Sequence, residues 1–185
     1  MANLSIQSKQ MKSSRQEISA QRIQTEDSLK HLLDCKESQR SATMESLAGI
    51  LNCTLSDAAK QLAYLRQHNL AFIEETSYHL TPEGYTYALQ IVRSHRLYET
   101  WLARNTHTPA EDWHHKANIA EHFITPEEAN QLSNTLNNPR FDPHGDPIPT
   151  RDGTIPKRSI APLTSWPSDS PAKNCTHRRR TRSPF

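Results

Sequence analysis

Thiols are scarce in this chain. Cys35, Cys53 and Cys175 are three cysteines in 185 residues, widely spaced and without a CxxC pair. That set excludes a disulfide scaffold or a thiolate zinc cage and suits a reducing cytosol. Glycine is nearly as rare. Four glycines supply no phosphate-cradling loop, dinucleotide fingerprint or GxSxG elbow, and HExxH is absent, so the sequence reads as a non-enzyme. No apolar run approaches the roughly 20 residues of a membrane span, and the N-terminal MANLSIQSKQMKSSRQ lacks a signal-peptide core. A cytoplasmic location is the expectation. The apolar fraction is only 34%, which places part of the chain outside any packed core.

Charge and histidine are present but uneven. Lysine and arginine number 22 against 20 acids, for a net +2. Residues 151–185 alone carry +6, which leaves −4 on residues 1–150. Five of the ten histidines, His95, His107, His114, His115 and His122, fall within one short stretch.

The pattern predicts a mainly α protein with disordered ends. Residues 1–24 read as a flexible lead-in, rich in Ser, Gln, Lys and Arg. Leu29, Leu32 and Leu33 predict a helix over about residues 25–37. Ser41 or Thr43 can cap a second helix with Leu47, Ile50 and Leu51 on one face, and Thr54 a third with Ala58, Leu62 and Leu65 buried. LAFIEE and SYHL then read as two short strands, and Thr81-Pro82 as the start of a long helix reaching about residue 103. This is a winged helix-turn-helix, residues 25–94, in which Thr54, Ser56, Lys60 and Gln61 can reach a DNA major groove. Helices opening at Pro109 and Pro126 complete an all-α dimerisation domain over residues 95–153. Residues 154–185 form a basic tail expected to be disordered.

An acidic core binds DNA weakly unless positive charge is added. His114, Asn118, Glu121 and His122 are spaced i, i+4, i+7, i+8, and His95 and Glu99 are i, i+4, so each set shares a helix face. Two such faces can enclose a divalent cation. Oxygen-rich, thiolate-free ligation favours Mn²⁺ or Fe²⁺ over structural Zn²⁺, without vetoing zinc. The competing reading is a polar face with i,i+4 pairs. His107 and His115 fall off the face and read as surface residues.

In their order, the winged helix, HLTPEG, SHRLYETWL, WHHKANIAEHF and DPHGDPIP resemble the metal-dependent repressors of the diphtheria toxin repressor type, over about residues 25–153. The resemblance implies a homodimer that binds palindromic operators upstream of metal-uptake genes when Mn²⁺ or Fe²⁺ is replete. It implies Asp27, His95, Glu99, His114, Asn118, Glu121 and His122 as ligands, with metal between Asp27 and Glu121/His122 clamping the two units together. Asn118 stands where relatives place Cys or Glu, Lys30 replaces a second acidic residue, and the third β-barrel domain of the iron-type members is missing. Related domains also occur fused behind the permease of metal ABC transporters, and the lead-in would suit release from such a fusion. The alternative is a metal-independent DNA-binding protein with a vestigial site, its affinity supplied by the basic tail.

Overall fold

Among the described residues, six helices and one hairpin follow the pattern of caps and leucines. The computed structural model describes residues 20–157. The expected lead-in up to residue 19 and the tail from residue 158 lie outside the described residues. Helix α1 spans Ala20–Glu37, so the expected lead-in is too long by Ala20–Gln24. The leucine stripe could not show this, because the extra turn is held by polar partners. Gln21 Nε2 donates to Gln61 Oε1 at 2.8 Å, and Arg22 Nε to Glu26 Oε1 at 2.7 Å.

Helix α2 (Met44–Leu51) starts in a capping box between Thr43 and Ser46 and stops at Asn52, whose φ of 49° lies in the left-handed region. Helix α3 (Leu55–Gln67) is capped by Thr54, whose hydroxyl accepts from the Asp57 N–H. Strands β1 (Ala71–Glu74) and β2 (Ser77–Leu80) pair antiparallel with Ala71 opposite Leu80, and Tyr78 N donates to Ala42 O at 2.9 Å, pinning the wing to the entry of α2. Leu29, Leu33, Leu47, Leu62 and Leu65 are fully enclosed between α1, α2 and α3. Each such leucine is worth about 2–3 kcal/mol of transfer free energy.

Helix α4 (Pro82–Asn105) opens at the Thr81 cap and runs 24 residues without a break. A boundary between residues 94 and 95 therefore falls inside one helix. Helix α5 (Ala110–Ala120) tightens into a single 3₁₀ turn at Glu121–Phe123, and α6 (Pro126–Thr135) starts in a Thr125/Glu128 capping box. Leu97, Ala129, Leu136 and Ile148 form a second, smaller core. The proline-rich segment after α6 is anchored to α4 by arginines. Arg93 donates to Pro149 O at 2.6 Å and Arg96 to Pro147 O at 2.5 Å. The basic tail begins later than expected: Thr154 N donates to Thr150 Oγ1 at 2.9 Å, and Ile155 packs against the first core.

Candidate metal centre

Helix α4 carries His95 and Glu99 one turn apart, and α5 lies beside it with His114. His95 Nε2 is 3.1 Å from Glu99 Oε1, His114 Nδ1 is 3.2 Å from the same oxygen, and the two nitrogens are 3.2 Å apart. Three donors about 2.1–2.2 Å from one ion, at octahedral to tetrahedral angles, stand roughly 3.0–3.5 Å from one another. The triangle therefore already has the spacing of three ligands on one face of a cation.

The far side of His95 completes the arrangement. Its Nδ1–H donates to Glu121 Oε2 at 2.6 Å, which fixes the tautomer and leaves Nε2 as the donor toward an ion. Burial works against a charged His95, yet the bonds to Glu121 and Glu99 outweigh it and raise the pKa. Burial alone would raise the pKa of Glu99, but bonds from His95 and His114 hold it low. The donor set, two imidazoles and a carboxylate, fits a borderline divalent ion such as Mn²⁺, Fe²⁺ or Zn²⁺.

A second cluster joins Asp27 of α1 to Glu121 and His122 of the 3₁₀ turn, with donor atoms within 4.8 Å of one another. His122 Nε2 is 3.5 Å from Asp27 Oδ1 and 3.9 Å from Glu121 Oε1. Its Nδ1–H donates to Glu26 Oε2 at 2.6 Å. Burial opposes charge on His122, but Asp27 and Glu26 prevail and push its pKa up to about 9. This cluster already contains a cation. Lys30 Nζ donates to Glu121 Oε1 at 2.8 Å and Oε2 at 2.9 Å, and to Asn118 Oδ1 at 3.1 Å. The donor geometry here does not match an open metal site as the first triangle does.

The expected single face of four ligands thus divides. His114 meets Glu99 on α4, Asn118 meets Lys30 on α1, Glu121 bridges His95 on α4 and Lys30 on α1, and His122 meets Glu26 on α1. Asp27, Lys30, His95, Glu99, His114 and Asn118 all line one cavity of about 860 Å³. The sequence reading missed Glu26, a buried carboxylate that also accepts from the Tyr87 hydroxyl at 2.7 Å. A signal existed: Glu26 is i, i+3 and i+7 with the buried Leu29 and Leu33.

On the DNA side, Thr54, Ser56 and Lys60 are exposed, and Lys60 Nζ pairs with Asp57 Oδ1 at 2.8 Å. Gln61 is not exposed. It is buried against α1, where its Nε2 donates to Thr25 Oγ1 at 3.3 Å, since position 61 falls on the stripe of Ala58, Leu62 and Leu65. The outer face of α3 instead presents Ala59, Ala63 and Arg66 beside Ser56 and Lys60.

Residues 81–150 match the family described as iron dependent repressor, metal binding and dimerisation domain. The iron-dependent repressor IdeR of Mycobacterium leprae (strain TN) is 33% identical over 99 residues, 50% of this chain and 43% of that protein. A probable metal transport system membrane protein of Chlamydia trachomatis serovar D is 36% identical over 87 residues, 47% of this chain and 19% of that protein. Among solved structures, a manganese-dependent transcriptional repressor in complex with manganese aligns with a TM-score of 0.68 and 31% identity, over 73% of this chain and 63% of that one. The chain spans less than half the length of these two curated relatives. No helix among the described residues is long and apolar enough to cross a membrane. Residues 81–150 are thus similar to the metal-binding and dimerisation domain of iron-dependent repressors, and the fold is similar to that of a manganese-dependent repressor.

Proposed function

We propose that this chain is a metal-responsive DNA-binding repressor of metal-uptake genes, reading palindromic operators as a dimer. The observation that carries the reading is the His95/Glu99/His114 triangle, set at ligand spacing and oriented from behind by Glu121. Mn²⁺ or Fe²⁺ is the favoured ion, with Zn²⁺ chemically admissible. An ion there supplies positive charge to an acidic core and ties α5 to α4.

A continuous run of contacts leads from that triangle to the DNA-reading helix. His95 holds Glu121, Glu121 holds Lys30, and Lys30 belongs to α1. One end of α1 is bonded to α3 through Gln21, Thr25 and Gln61. Fixing His95 therefore restrains α1, and α1 restrains the orientation of α3. Ile119 and Phe123, 55% and 47% exposed near the end of α5, supply apolar surface for a second copy. In such a dimer two α3 helices about one DNA turn apart match two operator half-sites. Coupling is reciprocal, so operator DNA tightens metal binding by the same factor.

The test is fluorescence anisotropy on uptake-promoter fragments with Mn²⁺, Fe²⁺, Zn²⁺ or chelator. The reading requires sequence-specific affinity that collapses in chelator and in His114→Ala. Affinity indifferent to both would instead support tail-assisted, metal-independent binding by the +6 segment of residues 151–185, whose deletion beyond residue 157 would then abolish it. The likeness to a metal transport membrane protein supports a second setting for the same module, attached to a permease.

A further inference from the structure

The second cluster departs from a metal site in one respect that its sequence neighbours make coherent. Glu121 has a fully buried side chain, and both of its oxygens face the Lys30 ammonium, at 2.8 and 2.9 Å. The third acceptor around that ammonium is the Asn118 amide oxygen at 3.1 Å. Three N–H donors thus meet three oxygens from two side chains, which satisfies the group. The Lys30 side chain is only 23% exposed, so its stem is packed and its charge is delivered inward. A neutral amide at 118 is what a single positive charge needs, since Glu121 alone balances it. A divalent ion would have to bond Glu121 oxygens that already carry an ammonium at hydrogen-bond distance, and two cations that close repel strongly.

We propose that the Lys30 ammonium is the resident cation of the Asp27/Glu121/His122 cluster, so that each chain takes up one divalent ion, at His95/Glu99/His114, where two clusters of candidate ligands exist. The inference rests on reading the first triangle as the metal site. It makes Lys30 and Glu121 the contact that joins α1 to the helical domain, with the ion acting on that contact from behind, through His95. It also makes Glu121 the meeting point of the two clusters. The same carboxylate accepts from His95, behind the triangle, and from Lys30 on α1.

The experiment counts ions. Full-length chain stripped with chelator is dialysed against Mn²⁺ alone, and bound metal per chain is measured by elemental mass spectrometry, with free Mn²⁺ followed by electron paramagnetic resonance. Wild type is expected to hold one ion, and His114→Ala to bind that ion at least tenfold more weakly. Lys30→Glu, which replaces the cation by a ligand, is expected to hold two. Lys30→Met, which keeps the chain length and deletes the charge, is expected to gain a weaker second ion and serves if Lys30→Glu does not fold. Two ions on wild type, or one ion on both Lys30 variants, overturns the proposal. No ion on wild type but one on Lys30→Glu upholds the role of Lys30 while refuting the first triangle as a metal site.

Discussion

Replacing Gly84 with alanine will destabilise this protein, although alanine is the better helix former. Gly84 is the third residue of α4, and its N–H donates to the Thr81 hydroxyl at 3.0 Å. A Cβ at this position would stand 1.9 Å from the Leu70 carbonyl oxygen and 2.8 Å from its carbon. Carbon and oxygen in contact are ordinarily about 3.3 Å apart or more, so roughly 1.4 Å of separation has to come from backbone. Leu70 O has little freedom to retreat, because it accepts from Thr81 N at 3.2 Å, the bond that ties the entry of the wing to its exit. Opening that bond costs about 1 kcal/mol, and displacing packed backbone about 1–3 kcal/mol more. Helix propensity returns about 1 kcal/mol. The net loss is about 1–3 kcal/mol, which for a chain of this size lowers Tm by roughly 3–10 °C. Gly49 in α2 is the control, since a Cβ there meets nothing within 4 Å, and Gly49→Ala should gain up to about 1 kcal/mol. The assay is urea unfolding followed by circular dichroism in EDTA. A Gly84→Ala midpoint equal to or above wild type would refute the close approach.

Three further outcomes test other parts of the structure. His114→Ala should leave the urea midpoint in EDTA within about 0.5 kcal/mol of wild type, because its side chain is 70% exposed, while abolishing stabilisation by Mn²⁺; a large loss in EDTA would contradict a ligand role. Gln61→Ala should cost about 1 kcal/mol by removing its bonds to Gln21 and Thr25, whereas exposed Lys60→Ala should spare stability and shallow the salt dependence of DNA binding by about one unit of slope; an unchanged slope would remove Lys60 from the DNA contact. In metal-free protein, the stabilisation from charged His122 is complete below its ordinary pKa of about 6.5 and is lost as pH rises through about 9. The EDTA midpoint should fall across that window and flatten in His122→Gln, and an equally steep fall in the variant would assign the effect elsewhere.

Local signals made most of the fold readable in advance. Thr54, Thr81-Pro82 and Thr125-Pro126 start helices for reasons contained within a few residues, as capping chemistry requires. The early start of α1 was not readable, since Gln21 and Arg22 are held by Gln61 and Glu26, one of them distant in sequence. The candidate ligands were recognised as residues, but their division into two clusters was not. That division depends on how α4 and α1 lie on either side of α5, which no local run of residues marks. Lys30 was visible as a departure from the family pattern. Its role depends on how α1 lies against Asn118 and Glu121, nearly a hundred positions later.

The wing leads directly into the helix that bears the ligand turn, α4, which has no glycine or proline between Tyr85 and Asn105. Their relative bearing is therefore a matter of helical phase. One residue inserted between Leu89 and His95 would swing His95 and Glu99 by about 100° around the axis, away from His114, while leaving the wing intact. Seven inserted residues would return the bearing to within about 20° but carry the ligands about 10 Å onward, out of reach of α1 and α5. No insertion in that stretch restores both angle and distance. The length of this segment is as tightly set by geometry as the identity of its histidine, and tolerance for added residues belongs to the loops.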